Sequence, residues 1–383
     1  MKIRAISTHF VYTNPFRNWL FVKVETDEGI HGWGEASVEG KEKTVAEAIH
    51  ELERQLIGRD PFQIELLWQE MYRNAFWVGG PILTSAISGI EQALWDIKGK
   101  ALGAPVYELL GGKMRDRLRV YANGWSGGCS TPKQFAAAAV KTVEQGFGAL
   151  KWDPFGGASL FIEREQEDIA IAIVREVRNA VGPAVELLVE VHARLSPANA
   201  IRIAHRLEEF RPFWYEEPVP SENVDAMAIV ARATDIPIAT GEHLFTKWGF
   251  KDLLEKQAAA VIQPDICHDG GILETRKIAA MAEVYYVGLA PHNPNGPLST
   301  AACIHVDACS PNFLIQEYVI SDEEIRAAIQ KEPLPIVDGF LQIPNRPGLG
   351  VDLDEAGLAR FPYRPTTMGG MLDPKNSYRW DES

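Results

Sequence analysis

Three glutamates, Glu190, Glu216 and Glu242, close the short apolar runs LLVEVHA, FWYEEP and IPIATGE, each 26 residues after the last. Singly, an acid at a strand end caps the next helix or pairs with a lysine. Three in register are a different matter, because crowded carboxylates repel and raise one another's pKa unless a cation neutralises them. An all-oxygen set with room left for water and substrate suits Mg²⁺ better than zinc, which prefers His and Cys. The trio predicts one divalent metal site.

The series continues with Asp265, His292 and Glu317, at steps of 23, 27 and 25 residues. His292 lies one run beyond Asp265, so the two can hydrogen-bond, and a carboxylate there fixes the imidazole tautomer and raises its basicity. On the other side of the trio stands His192, with Lys151 and Asp153 one run further round. Side chains alternate along a strand, so Glu190 and His192 share a face, as do Lys151 and Asp153. A base is thus available on one flank and an acid on the other. His31, His50, His205 and His305 are expected to be structural, whereas His243 and His268, next to strand ends, stay open. Cys267-His268-Asp269 cannot stack into a relay and predicts a loop, and CIHVDAC at 303–309 predicts a buried helix. The glycine dipeptides lack the setting of a dinucleotide site.

What must position these residues is set by the interval, which is one strand–helix–loop unit. Eight runs, RVYANG, ALKWDP, LLVEVHA, FWYEEP, IPIATGE, AVIQPD, VGLAPHN and FLIQEY, alternate with helical patterns. That is the rhythm of a (β/α)8 barrel, whose active site lies at the C-terminal strand ends. Upstream, WLFVKVETDEGIHGWGEAS alternates with a DEG hairpin turn, Val45, Ile49, Leu52 and Leu56 mark a helix stopped by Gly58, and a second helix runs from Ser85 to Leu102. The expected organisation is an α+β module over 1–116, a barrel over 117–332, and a Pro- and Gly-containing tail over 333–383 that packs back on the first module.

The 383 residues are 46% hydrophobic and 23% charged, with a net charge of −14 and no long single-sign run. This excludes nucleic acid as the main partner, which needs clustered Lys and Arg. No apolar run approaches the ~20 residues of a membrane span or forms a signal-peptide core, so a cytoplasmic protein without a membrane partner is expected. Four cysteines are too sparse for a disulfide framework and are expected to be thiols.

The stretches AISGIEQALWDIKGKALGAPVYELLGG, EVHAR, YEEP, ATGEH, IQPDICHDGGI, LAPHNPNGP, IQEY and PGLGVDLDE run nearly end to end. Together they resemble the enolase superfamily, mandelate racemase subgroup, and within it most closely the acid-sugar dehydratases of the galactonate dehydratase type. The resemblance implies a modified (β/α)7β barrel with an α+β capping domain built from both chain ends. It implies Mg²⁺ on the trio, His292 with Asp265 as a dyad, and Glu317 over the substrate carboxylate as hydrogen-bond donor or electrostatic partner. The implied reaction is dehydration of a galactonate- or gluconate-like aldonate. In it His292 takes the C2 proton, Lys151 helps hold the carboxylate, Glu317 bonds the enediolate oxygen and His192 protonates the leaving 3-hydroxyl, giving a 2-keto-3-deoxy sugar acid. Loops at 12–19, with Asn14 and Trp19, and at 77–81, with Trp77, are expected over the distal hydroxyls. Asp153 and His243 are expected to join them as substrate contacts. A symmetric homo-oligomer, commonly an octamer, goes with the family.

The chain departs from the pattern in places. Glu190 stands where the galactonate dehydratases usually have Asp, His243 replaces an Arg, Asn293 replaces a Cys, and Asp153 replaces the second lysine of the racemases. A racemase, epimerase or cycloisomerase working through the same enediolate is the alternative.

Overall fold

The computed structural model describes residues 1–74, 76–366 and 377–381. Its first part is an antiparallel meander, β1 (Ile3–Asn14), β2 (Arg17–Thr26) and β3 (His31–Glu35), followed by helices α1 (Glu42–Leu56), α2 (Ile64–Arg73), α3 (Gly80–Leu102) and the one-turn α4 (Val106–Leu109). The amphipathic α1 buries Val45, Ala46, Ile49 and Leu56 on one stripe. By contrast, α3 is buried on nearly all sides between Thr84 and Ile97, as a helix placed between two layers must be. It begins at Gly80 rather than Ser85, because Pro81 is tolerated in a first turn, and it ends on the left-handed Gly103. Glycines let β3 approach this helix, since a Cβ on Gly34 would overlap the Gly89 carbonyl oxygen.

The second part alternates strand and helix: β4 (Arg117–Asn123), α5 (Pro132–Glu144), β5 (Ala149–Trp152), α6 (Arg164–Val181), β6 (Glu186–Glu190), α7 (Pro197–Leu207), β7 (Trp214–Glu216), α8 (Val224–Ala231), β8 (Ile238–Thr240), α9 (Thr246–Glu255), β9 (Val261–Ile262), α10 (Ile272–Val284), β10 (Gly288–Leu289), α11 (Pro297–Cys309) and β11 (Gln316–Val319). Each of β4 to β9 pairs in parallel with the next, and β11 returns to pair with β4, so the sheet closes into a (β/α)7β barrel. The seam between β10 and β11 is held by a Leu289–Phe313 bridge. Inside the ring, Tyr121, Ala149, Leu188, Trp214, Ala239, Val261, Ala290 and Ile315 form a separate buried cluster, one residue from each strand or its immediate flank. CIHVDAC lies wholly buried in α11, and residues 267–269 form a turn after β9.

The rest of the chain comprises α12 (Glu323–Ile329), β12 (Ile336–Val337), β13 (Phe340–Gln342) and α13 (Glu355–Leu358). The tail does not pack on the first module alone. The β12–β13 hairpin turns at Asp338-Gly339 and adds β13 antiparallel to the start of β4, covering an edge the barrel would otherwise expose. Beyond it the chain contacts the first module again, where Leu349 N donates to Asp96 Oδ1 at 2.8 Å and Tyr12 N donates to the Phe361 carbonyl at 3.0 Å. No described helix is long and apolar enough to cross a membrane.

Candidate active site

Glu190 and Glu216 are register partners on β6 and β7, and Glu242 follows β8 by two residues. One carboxylate oxygen of each lies within 4.8 Å of the others. The strand stops at Glu190, and the backbone turns left-handed at His192 (φ 53°) and Ala193 (φ 56°), conformations that non-glycine residues hold only where surroundings enforce them. This turn aims the amides of Val191 (2.9 Å) and His192 (2.6 Å) at Glu190 Oε1. Glu190 Oε2 is buried with no hydrogen-bond partner among the described residues, Lys151 Nζ standing 3.4 Å away. Glu216 accepts from Trp214 Nε1 at 2.7 Å and from Lys151 Nζ at 2.5 Å. Burial first, then the charge of Glu190, push its pKa up. An incompletely satisfied, all-oxygen acid cluster fits a hard divalent cation.

Lys151 sits among Glu216, Glu317 (3.2 Å) and Glu190 (3.4 Å). Burial alone would lower its pKa, but Glu216 and Glu317 hold it well above the lysine range. Glu317 accepts from Asn123 Nδ2 and from Asn293 N, both at 2.7 Å. Burial would raise its pKa, yet Lys151 and His292 bring it down to about 2. Glu317 thus accepts from two amides and pairs electrostatically with Lys151.

Two histidines flank the trio in strand order, each backed by an aspartate. His292 Nδ1 is 2.8 Å from Asp265 Oδ2, across a parallel bridge between these residues, and its Nε2 is 3.3 Å from Glu242. Asp265 is itself held by Cys267 N at 2.8 Å and Asn295 Nδ2 at 3.0 Å. Burial would depress His292, but Glu242 and Asp265 push it up to about 10. On the other flank, His192 Nδ1 is 2.7 Å from Asp153 Oδ2, which also accepts from Arg194 at 2.5 Å. Against burial, Glu190 and Asp153 push His192 up to about 9. The ring therefore reaches Asp153 from a left-handed turn and not from an alternating strand face.

A metal titration has a predictable proton balance here. In the cation-free site His292 is protonated below about pH 10, and a dication beside Glu242 disfavours that charge. Adding Mn²⁺ to metal-free protein at pH 8 should release protons, and the release should shrink as the pH rises through about 10. Calorimetry in buffers of different ionisation enthalpy measures the number.

A cavity of about 770 Å³ opens beside the His192 flank. Asn14, Phe16, Arg17 and Glu39 of the N-terminal module line it together with Asp153, His192 and Arg194 of the barrel. Two expected contacts lie elsewhere. Trp19 is fully buried, with Arg326 stacked 5.3 Å from its ring, so it is a core residue: on a strand facing a helical layer, the large apolar ring goes inward. Trp77 is 79% exposed and lines a different cavity of about 280 Å³ with Met71, Tyr72 and Leu83. His243 does not line the main cavity either. It pairs with Glu217 at 3.2 Å and, against burial, is pushed up to about 9 by Glu217 and Glu242. Of the two histidines left open, His268 lies buried, 3.0 Å from Ser85 Oγ and 3.4 Å from Asp265.

Several residues that hold the site were not singled out by spacing. Glu217, the second acid of FWYEEP, takes φ 41° and turns away from the trio to accept from Thr240 Oγ1 and from Gly241 N at 2.9 Å. It thereby ties the end of β7 to the loop carrying Glu242. Arg194 and Asn295 brace Asp153 and Asp265; the Asn-rich NPNGP after His292 and the Arg closing EVHAR are the signals that could have marked them.

Residues 5–111 match the mandelate racemase / muconate lactonizing enzyme N-terminal domain, and residues 134–357 match the enolase C-terminal domain-like family. The chain is 45% identical over 361 residues to a protein named D-galactonate dehydratase from Pectobacterium atrosepticum, and 46% identical over 362 residues to one of the same name from Ralstonia pickettii, with 93% of each chain covered in both cases. Among solved structures it resembles a mandelate racemase/muconate lactonizing enzyme from Jannaschia sp. CCS1 (TM-score 0.91, 34% identity, 96% of this chain and 99% of that one). It also resembles an enolase superfamily member from Salmonella Typhimurium (TM-score 0.90, 35% identity, 94% and 98%). The closed (β/α)7β ring, the acid trio at its mouth and these matches over both parts of the chain carry one conclusion: the chain belongs to the enolase superfamily, in its mandelate racemase subgroup.

Proposed function

We propose that the chain is a Mg²⁺-dependent acid-sugar dehydratase that converts an aldonate of the galactonate or gluconate type into a 2-keto-3-deoxy sugar acid. The observation that carries this reading is the pair of aspartate-backed histidines, His292–Asp265 and His192–Asp153, on the two sides of the acid trio. Relatives named D-galactonate dehydratase support it.

Glu190, Glu216 and Glu242 are the residues that would hold the ion. When bound, Mg²⁺ supplies the positive charge that grips the substrate carboxylate and offsets the charge developing there as C2 loses its proton. His292 Nε2 takes that proton, and Asp265, on Nδ1, stabilises the imidazolium that forms. Lys151, held by three carboxylates, presents a fixed positive charge to the same end of the substrate. Glu317 keeps Lys151 in place and accepts from Asn293 N and Asn123. His192, oriented by Asp153 on Nδ1, is the acid that gives its proton to the departing 3-hydroxyl. Water leaves, and the enol tautomerises to the keto acid.

Dehydration is favoured over racemisation because the place of the racemases' second β5 lysine is taken by Asp153, already engaged with His192 and Arg194. His192→Asn should lower keto-acid formation by roughly 10²–10⁴-fold while C2 deuterium exchange from D₂O persists. Loss of both together would remove His192 from the elimination step. Assaying aldonates, D-galactonate among them, for 2-keto acid with Mg²⁺ and again after EDTA tests the function itself. No keto acid from any member, or full activity after EDTA, would contradict it. A cytoplasmic location and a homo-oligomer, octameric by the family's habit, complete the proposal, the latter checked by solution mass.

A further inference from the structure

The last described residues of the chain belong to the wall of the main cavity. Ser377 and Tyr378 line it beside Asp153, His192 and Arg194. The segment is fastened to the barrel at several points. Arg379 N donates to the Ser130 carbonyl at 2.9 Å, Lys133 N donates to Asp381 Oδ1 at 3.2 Å, and Gln166 Nε2 donates to the Tyr378 carbonyl at 3.5 Å. The Tyr378 ring packs edge-on against Phe135 with centroids 5.2 Å apart. So anchored, Tyr378 donates its hydroxyl to the backbone carbonyl of Asp153 at 3.0 Å.

That carbonyl matters because of where Asp153 stands. It is the first residue after β5, so no strand ladder fixes its peptide, and among the described residues no other hydrogen bond reaches this oxygen. Its carboxylate is held by Phe155 N at 2.8 Å and by Arg194 at 2.5 Å, and it sets the His192 ring through the 2.7 Å contact to Nδ1. A shift of the Asp153 peptide carries the carboxylate, and with it the imidazole, away from its place at the cavity wall. Groups that orient a working histidine through its far nitrogen act through such contacts.

We propose that Tyr378 is a positioning residue: from the C-terminal end of the chain it fixes Asp153 and thereby aims His192 at the 3-hydroxyl of the substrate. This rests on the dehydratase reading above. The test is Tyr378→Phe, which keeps the ring against Phe135 and removes only the donor, compared with wild type on the best aldonate with Mg²⁺ in D₂O. Keto-acid formation should fall about tenfold, in kcat rather than KM, while C2 deuterium exchange is unchanged, so the ratio of exchange to elimination rises. Equal losses of exchange and elimination would mark a merely structural contact, and no loss of either would mark an idle one; both overturn the proposal. The wild-type arm separates the two layers. If wild type neither exchanges nor dehydrates any aldonate, the dehydratase reading falls and this inference falls with it, whereas an active wild type with an unaltered ratio in Tyr378→Phe removes the positioning role alone.

Discussion

Replacing His292 by asparagine should reduce keto-acid formation by roughly 10²–10⁴-fold, the share that a positioned general base contributes, and should abolish C2 deuterium exchange as well. Asparagine fills a similar space and can still hydrogen-bond to Asp265, but it cannot take a proton. The two effects must therefore appear together, in contrast to His192→Asn, which leaves exchange in place. Metal binding should survive, because the trio does not include His292, whose Nε2 lies 3.3 Å from Glu242. Stopped activity with intact Mn²⁺ affinity assigns His292 to the proton. Activity retained in the variant would refute that role.

Glu216→Gln should have the largest effect on the metal. Glu216 is the central member of the trio, paired in register with Glu190, fully buried, and within reach of Lys151 and Trp214. The amide keeps the shape and removes the charge, and it leaves Lys151 facing one carboxylate fewer. The cost should exceed the ~10–100-fold typical of a ligand's outer partners, so Mn²⁺ affinity should fall by at least about 100-fold and dehydration with it. Calorimetric titration of metal-free protein measures this directly. Unaltered affinity would place the ion elsewhere.

Much of this site was legible because barrel geometry writes itself into spacing. The near-constant steps from Glu190 to Glu317 reflect one strand, one helix and two loops per turn of the ring, and the structure brings these acids and bases to one mouth. What spacing leaves undetermined is where a residue points once its strand has ended. His192 was expected on the strand face of Glu190, yet the chain turns left-handed there and sends the ring to Asp153. Trp19 and Trp77 have the same side chain and opposite fates, one fully buried and one 79% exposed, because burial is decided by the layer packed against each segment. Glu217, next to Glu216 in sequence, serves the loop after β8 and not the trio. Partners far apart in sequence were the least visible: nothing in the tail marks Tyr378 as the donor to Asp153, 225 residues away.

Crystals grown with Mn²⁺ and an aldonate test the acid trio as the metal site. The anomalous map should show one strong peak bonded to Glu190, Glu216 and Glu242, with the sugar-acid carboxylate beside it and the rings of His292 and His192 on its two sides. A peak bound to other residues, or a trio left without metal, would contradict the account.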